Sequence, residues 1–174
     1  MKFVIWVPKK KVKPVMKFKP LMIMLCLGVS PVVLSQVDEL TPEEQAYRDS
    51  ITALNIENAA IANSQEAYNK GIQLFAEKKY PTAIDQFRKS IQFDPNFTAA
   101  YYNKGVAENE AERYEAALKT LDRLLELKPS YSKGYFQRGR SFQGLNNYLN
   151  SEKDYEKSIA LDPTNPKAFY NYAT

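Results

Sequence analysis

Three residue types keep one interval of 34 residues through most of the chain. Gly71, Gly105 and Gly139 fall at that spacing, as do Tyr80, Tyr114 and Tyr148, and Pro95, Pro129 and Pro163. A period of this length marks supersecondary units that cannot bury their apolar faces alone and must stack on their neighbours. The copies run 64–97, 98–131 and 132–165, and residues 166–174 begin a fourth.

Each copy opens on an aromatic-rich run: Ala67-Tyr68-Asn69-Lys70-Gly71, then Tyr101-Tyr102-Asn103-Lys104-Gly105, then Tyr135-Phe136-Gln137-Arg138-Gly139. Ala67, Gly71, Leu74 and Phe75 stand at the i, i+4, i+7, i+8 spacing of one helix face. Glycine inside a helix costs about 1 kcal/mol against alanine. Its recurrence predicts a second helix too close to admit a side chain. That second helix starts at Tyr80, Tyr114 and Tyr148 and carries the stripes Ala83-Phe87-Ser90-Ile91, Ala117-Leu121-Leu124-Leu125 and Ser151-Tyr155-Ser158-Ile159. Pro81 sits in its first turn, where a missing N–H is harmless. Asp94-Pro95, Lys128-Pro129 and Asp162-Pro163 end it, because the residue before proline is pushed out of the α region. Leu74, Phe87, Leu121, Leu124, Phe142 and Tyr155 are expected to be core.

Each copy is thus a helix–turn–helix hairpin. The series Ala67/Gly71/Tyr80/Ala83/Phe87/Pro95, Tyr101/Gly105/Tyr114/Ala117/Leu121/Pro129 and Tyr135/Gly139/Tyr148/Ser151/Tyr155/Pro163 resembles the tetratricopeptide repeat. Ala67 departs from that pattern where an aromatic is usual, and Ser151 and Ser158 depart where alanines are. The resemblance implies an all-α array, a right-handed superhelix whose first helices line a concave face. It also implies a non-enzymatic scaffold that holds a peptide segment of a partner protein.

The resemblance places the groove at Gln65, Tyr68, Asn69, Ile72, Phe75 and Ala76 of the first copy. The second copy supplies Ala99, Tyr102, Asn103, Val106, Asn109 and Glu110, and the third Lys133, Phe136, Gln137, Arg140, Gln143 and Gly144. Such a groove is aromatic at one end and positive at Lys133 and Arg140, with Asn69 and Asn103 placed to pair with a peptide backbone. The competing reading is that Tyr68, Tyr102 and Phe136 only fill the inner face. Some family members clamp a chaperone's C-terminal carboxylate with Lys and Asn, Asn, then Lys and Arg. Asn103 and Lys133 match that set, but Tyr68, Ile72 and Gln137 stand at its other positions, which argues against a clamp.

The first 35 residues differ in kind. They hold seven lysines (Lys2, Lys9, Lys10, Lys11, Lys13, Lys17, Lys19) and no acidic residue, followed by the uncharged run 21–35. A basic region, an apolar region and small residues before Gln36 read as a secretory signal, with Met16 as a second start. Export to a periplasm or to the outside follows. The alternatives are a retained membrane anchor, for which 15 apolar residues are short against the roughly 20 a bilayer needs, and lipidation at Cys26. The net charge of +4 comes from 24 basic and 20 acidic residues. Without the leader, 17 basic residues face 20 acidic ones, so the basic balance is no sign of nucleic-acid binding.

Residues 36–63 read as a linker and an N-terminal helix. Thr41-Pro42-Glu43-Glu44 is a helix start, and Ile51, Leu54, Ala59 and Ala62 give a thin apolar face. The helix is expected to pack on the outer side of the first copy, or else to be a spacer. The final Phe169-Tyr170-Asn171-Tyr172-Ala173 opens a fourth copy that lacks its partner helix. It reads as a fragment of a longer array, a minimal cap, or a surface for a partner or for self-association.

The chain has no histidine, and its lone cysteine lies in the leader. Cysteine nucleophiles, Ser–His triads and His-containing zinc sites are absent, and no cofactor is expected. Glu108, Glu110, Glu112 and Glu115 cluster about a turn, where they are expected to sit in water.

Overall fold

The computed structural model describes residues 40–164, which hold six α-helices and no strand. They are α1 (Pro42–Ala76), α2 (Tyr80–Phe93), α3 (Thr98–Glu110), α4 (Tyr114–Leu127), α5 (Ser132–Gly144) and α6 (Tyr148–Leu161). The leader, Cys26 and the fourth-copy segment lie outside the described residues. The helices pair as α1/α2, α3/α4 and α5/α6, and each pair stacks on the next. This is an all-α repeat solenoid with the register read from the 34-residue period.

The repeat glycines are where two helices touch. A Cβ on Gly71 would stand 2.6 Å from Phe87, on Gly105 2.7 Å from Leu121, and on Gly139 2.7 Å from Tyr155. Phe87 and Leu121 are fully buried and Tyr155 nearly so. The residue opposite each glycine therefore takes the volume the glycine vacates. Leu124 is fully buried as well, while Leu74 and Phe142 are half-buried at the margin of the core. A second lock recurs in alternate copies. Ser64 Oγ donates to Ser90 O at 2.9 Å, and Ser132 Oγ to Ser158 O at 3.0 Å. Thr98 and Leu124 hold these positions in the middle copy. Between copies, Tyr101 and Tyr135 each donate a hydroxyl to the proline carbonyl six residues earlier, at 3.1 Å. The first copy has Ala67 at this position and no turn before it to clip.

Within each hairpin the turn is a Schellman motif. Lys79 N–H bonds Leu74 O, Arg113 N–H bonds Glu108 O, and Asn147 N–H bonds Phe142 O, closing the six-residue ring at the end of the first helix. The motif needs a left-handed residue, and Lys78, Glu112 and Asn146 supply it, each at φ 58°. Glycine is the usual choice there because a Cβ is disfavoured at positive φ.

One expectation fails here. The N-terminal helix does not pack on the outer side of the first copy. It is the same helix as the first helix of that copy, α1, unbroken over 35 residues. No proline or glycine interrupts residues 43–70, so nothing stops the helix between them. Along residues 42–63 every position is exposed except Ala60, which is half-buried.

Candidate functional site

The first helices form the inner side of the array. α3 touches α1 and α5 as well as its own partner, whereas no comparable contact joins α2 to α4 or α4 to α6. The groove residues read from the sequence therefore lie on three adjoining helices, but the structure divides them sharply.

Several are spent on holding the copies together. Asn109, Phe136 and Gln137 are buried, at 4%, 8% and 7% exposure, and so are withdrawn from any groove. Asn109 Nδ2 donates to Gln137 O at 2.9 Å, and Ser141 Oγ donates to Asn109 Oδ1 at 2.7 Å, a polar latch between α3 and α5. Phe136 lies against Tyr155, with ring centres 5.8 Å apart. Asn103 is engaged as well: its Nδ2 reaches Tyr68 OH at 2.9 Å and Ala99 O at 3.1 Å. The Tyr68 ring packs on Phe97 at 4.9 Å, so Tyr68 fills the seam between copies one and two. Phase and side-chain size in the repeat identify a face, but only the partner across the seam decides whether a polar group there is free. That is why the sequence alone reads these residues as groove-lining.

Others remain available. Asn69 is exposed and, among the described residues, accepts from Gln65, one turn earlier on the same helix. Ile72 is 39% exposed. Val106 and Phe75 are half-buried, and Phe75 rests on Tyr80 at 5.4 Å. Gln65, Ala76 and Lys133 are exposed, while Ala99 and Gln143 are half-buried. Gln143 accepts from Tyr155 OH at 2.8 Å. Gly144 is exposed, but a Cβ on it would strike Tyr114 at 2.5 Å.

Electrostatics grade along the strip. Arg140 Nη1 pairs with Glu110 at 3.1 Å and donates to Gln137 Oε1 at 3.2 Å, so its charge is partly matched. Burial pushes the Tyr102 hydroxyl above the ordinary tyrosine range, opposed by a hydrogen bond with Gln137 and the charge of Arg140. Tyr102 meets Tyr131 edge-on at 5.5 Å. Lys133 makes no ion pair among the described residues. Ile72, Val106 and Arg140 share one repeat position, giving a row that is apolar, apolar, then cationic.

Away from the strip, two charges are buried. Glu108, expected in water, is 3% exposed. Its Oε1 takes Lys104 Nζ at 2.6 Å, and Lys104 also reaches Thr120 at 2.7 Å. Among the described residues Glu108 Oε2 has no hydrogen-bond partner. One copy later Arg138 replaces Lys104. It grips Asp154 with two nitrogens, at 2.7 and 2.8 Å, and reaches Asp122 of α4 at 2.7 Å. The hydrogen bonds to Asp154 hold the guanidinium's pKa well above its ordinary value. The repeated Lys/Arg is in view in the sequence, but its acidic partners come from different helices and carry no periodic signal. Among the described residues no group of His, Cys, Asp or Glu side chains could hold a metal ion, and no helix is long and apolar enough to cross a membrane.

Family models described as tetratricopeptide repeat match residues 74–134 and 132–165, together more than half of the chain. No curated protein matches it. Among solved structures, the first TPR of Spaghetti (RPAP3), bound to the HSP90 peptide SRMEEVD, is 26% identical. It aligns over 65% of this chain and 90% of its own, with a TM-score of 0.63. The second TPR domain of human RPAP3, in complex with the HSP70 peptide SGPTIEEVD, is 25% identical over 67% and 95%, at 0.62. MamA from Desulfovibrio magneticus RS-1 is 25% identical over 63% of this chain and 62% of its own, at 0.60.

Proposed function

Because the chain belongs to the tetratricopeptide-repeat family, whose repeats are protein-interaction scaffolds, we propose that it holds a peptide segment of a partner along the inner faces of α1, α3 and α5. The observation that carries this is the strip of Asn69, Ile72, Val106 and Lys133, which the stacking of copies leaves at least partly uncovered. Ile72 and Val106 offer two apolar seats, and Lys133 with Arg140 a positive end. The fitting ligand is an extended segment with two apolar side chains and an acidic residue toward α5. The peptides held by the similar domains, SRMEEVD and SGPTIEEVD, have this mixture of apolar and acidic residues. A terminal-carboxylate clamp is not part of the proposal. Tyr68, Ile72 and Gln137 stand at three of its positions, and Asn103, which matches, already serves Tyr68.

The role is that of a non-enzymatic adaptor. Its setting is the cell envelope or the exterior, on the strength of the basic and then apolar leader before Gln36. Mass spectrometry of the mature N-terminus tests the setting. The groove is tested by screening an array of peptides and repeating the screen with Ile72→Asp/Val106→Asp and with Lys133→Glu. The double variant should lose capture, and Lys133→Glu should lose the preference for acidic peptides, both with unchanged far-UV circular dichroism. Undiminished capture by the double variant would remove the assignment.

A further inference from the structure

Residues 42–63 of α1 form a helix of about six turns that no other described element covers. Helices in proteins are held chiefly by packing of an apolar face, and short isolated helices are marginal in water. This segment has such a face. Tyr47, Ile51, Leu54 and Ile61 are 68%, 40%, 50% and 53% exposed. With Asn58 they follow the alternating four- and three-residue spacing of a heptad seam: Ile51 and Asn58 at a, Tyr47, Leu54 and Ile61 at d. Ile56, 66% exposed, falls at f, outside the seam.

We propose that this seam binds the same seam of a second copy of the chain, in parallel and in register, as a short two-stranded coiled coil. Two features select that occupant, and both are self-complementary. Asn58 at an a position is costly to bury unless its amide meets a hydrogen-bonding group. In the parallel in-register pair it meets Asn58 of the other copy, which is the arrangement by which a single polar a residue sets register and strand number. In an antiparallel pair it would face apolar side chains instead. The flanking charges agree. Glu43 is at g and Arg48 at e of the next heptad, the two positions that approach each other across a parallel pair. Both are exposed and make no ion pair among the described residues. The two-fold pair therefore forms the Glu43–Arg48 contact twice. A straight helix drifts about 20° per heptad from a seven-residue repeat, so over Tyr47–Ile61 a slight left-handed supercoil suffices. Ser64, three residues beyond Ile61, turns into the first copy, and the seam ends there.

The seam is short, so the dimer is concentration-dependent. Sedimentation equilibrium of the full 174-residue chain should show the dimer mass at the upper end of the concentration range, falling toward monomer on dilution. Leu54→Glu/Ile61→Glu should halve that mass with the helical signal retained, since both side chains are exposed in the monomer. Tyr47→Cys on a Cys26→Ser background should cross-link to its own copy on mild oxidation. A monomer at every concentration, dimer mass in the double glutamate variant, or no cross-link in the Tyr47→Cys variant would each overturn the proposal. Asn58→Ile adds a readout that other association modes would not show: the assembly becomes tighter but mixed in strand number. An unchanged pure dimer in that variant also counts against it.

Discussion

Ser141 Oγ–H donates a hydrogen bond to Asn109 Oδ1 across the boundary between the second and third copies, at 2.7 Å, and both side chains are buried. Asn109 in turn donates to the backbone of Gln137 at 2.9 Å, so one amide ties α3 to two turns of α5. Asn109→Ala strands these groups, and a buried polar group without its partner costs about 1–3 kcal/mol. Urea denaturation should show that loss. The transition should also broaden, because coupling between neighbouring copies is what makes a repeat array unfold as one.

Gly105 and Leu121 share one space, and alanine at Gly105 has no room for its methyl group. Overpacking costs about 1–3 kcal/mol, offset by about 1 kcal/mol of better helix propensity. Gly105→Ala should therefore lower the melting temperature despite the gain in propensity. Combined with Leu121→Ala it should cost less than the sum of the two single changes, as touching residues do.

The hairpin turns place lysine, glutamate and asparagine at positive φ. Glu112→Gly should raise thermal stability, by up to about 1 kcal/mol, since the αL penalty of a side chain exceeds the entropy glycine adds. Asn146→Gly should gain less, because asparagine tolerates this conformation better.

Arg138 holds the buried Asp154 carboxylate by both of its oxygens. Arg138→Met should cost about 3–5 kcal/mol by leaving that charge without its ion pair. Arg138→Lys should fall between, because an ammonium cannot make the two-pronged bond. Asp122 is 54% exposed in its side chain, and Asp122→Asn should cost under about 1 kcal/mol. Thermal unfolding of the three variants ranks them.

Asp162 closes α6 by accepting from Thr164 Oγ1 at 2.6 Å and from Thr164 N–H at 3.1 Å, and these bonds hold its carboxyl below its ordinary value of 3.8. A lowered folded pKa means the ionised form is the one the fold favours. Its contribution is complete above 3.8 and is lost as pH falls through the folded value. Asp162→Asn should flatten that part of the acid limb of stability, while the amide oxygen still closes the turn at neutral pH.

The apolar framework is legible in the sequence because it is periodic. Gly71 with Phe87, Gly105 with Leu121 and Gly139 with Tyr155 can be paired from the lattice alone. The groove is legible only as a face. Asn103 and Asn109 hold inner positions, but their amides are claimed by Tyr68, Gln137 and Ser141, and no single copy reveals a bond made to the next. Glu108 departs from its expected place in water for a related reason: Lys104 and the helix seam around Thr120 draw it inward. The merged α1 has a visible signal, the absence of any breaker between residues 43 and 70, which runs straight across the repeat boundary at Ser64.

That merger has a mechanical consequence. At 1.5 Å per residue, the 35 residues of α1 make a rod of about 52 Å, with Pro42 at one end and Ile72 near the other. An unbroken helix transmits twist and tilt along its axis without a joint to absorb them. A torque taken up at Tyr47, toward the Pro42 end, therefore reaches the inner face of the first copy at Ile72.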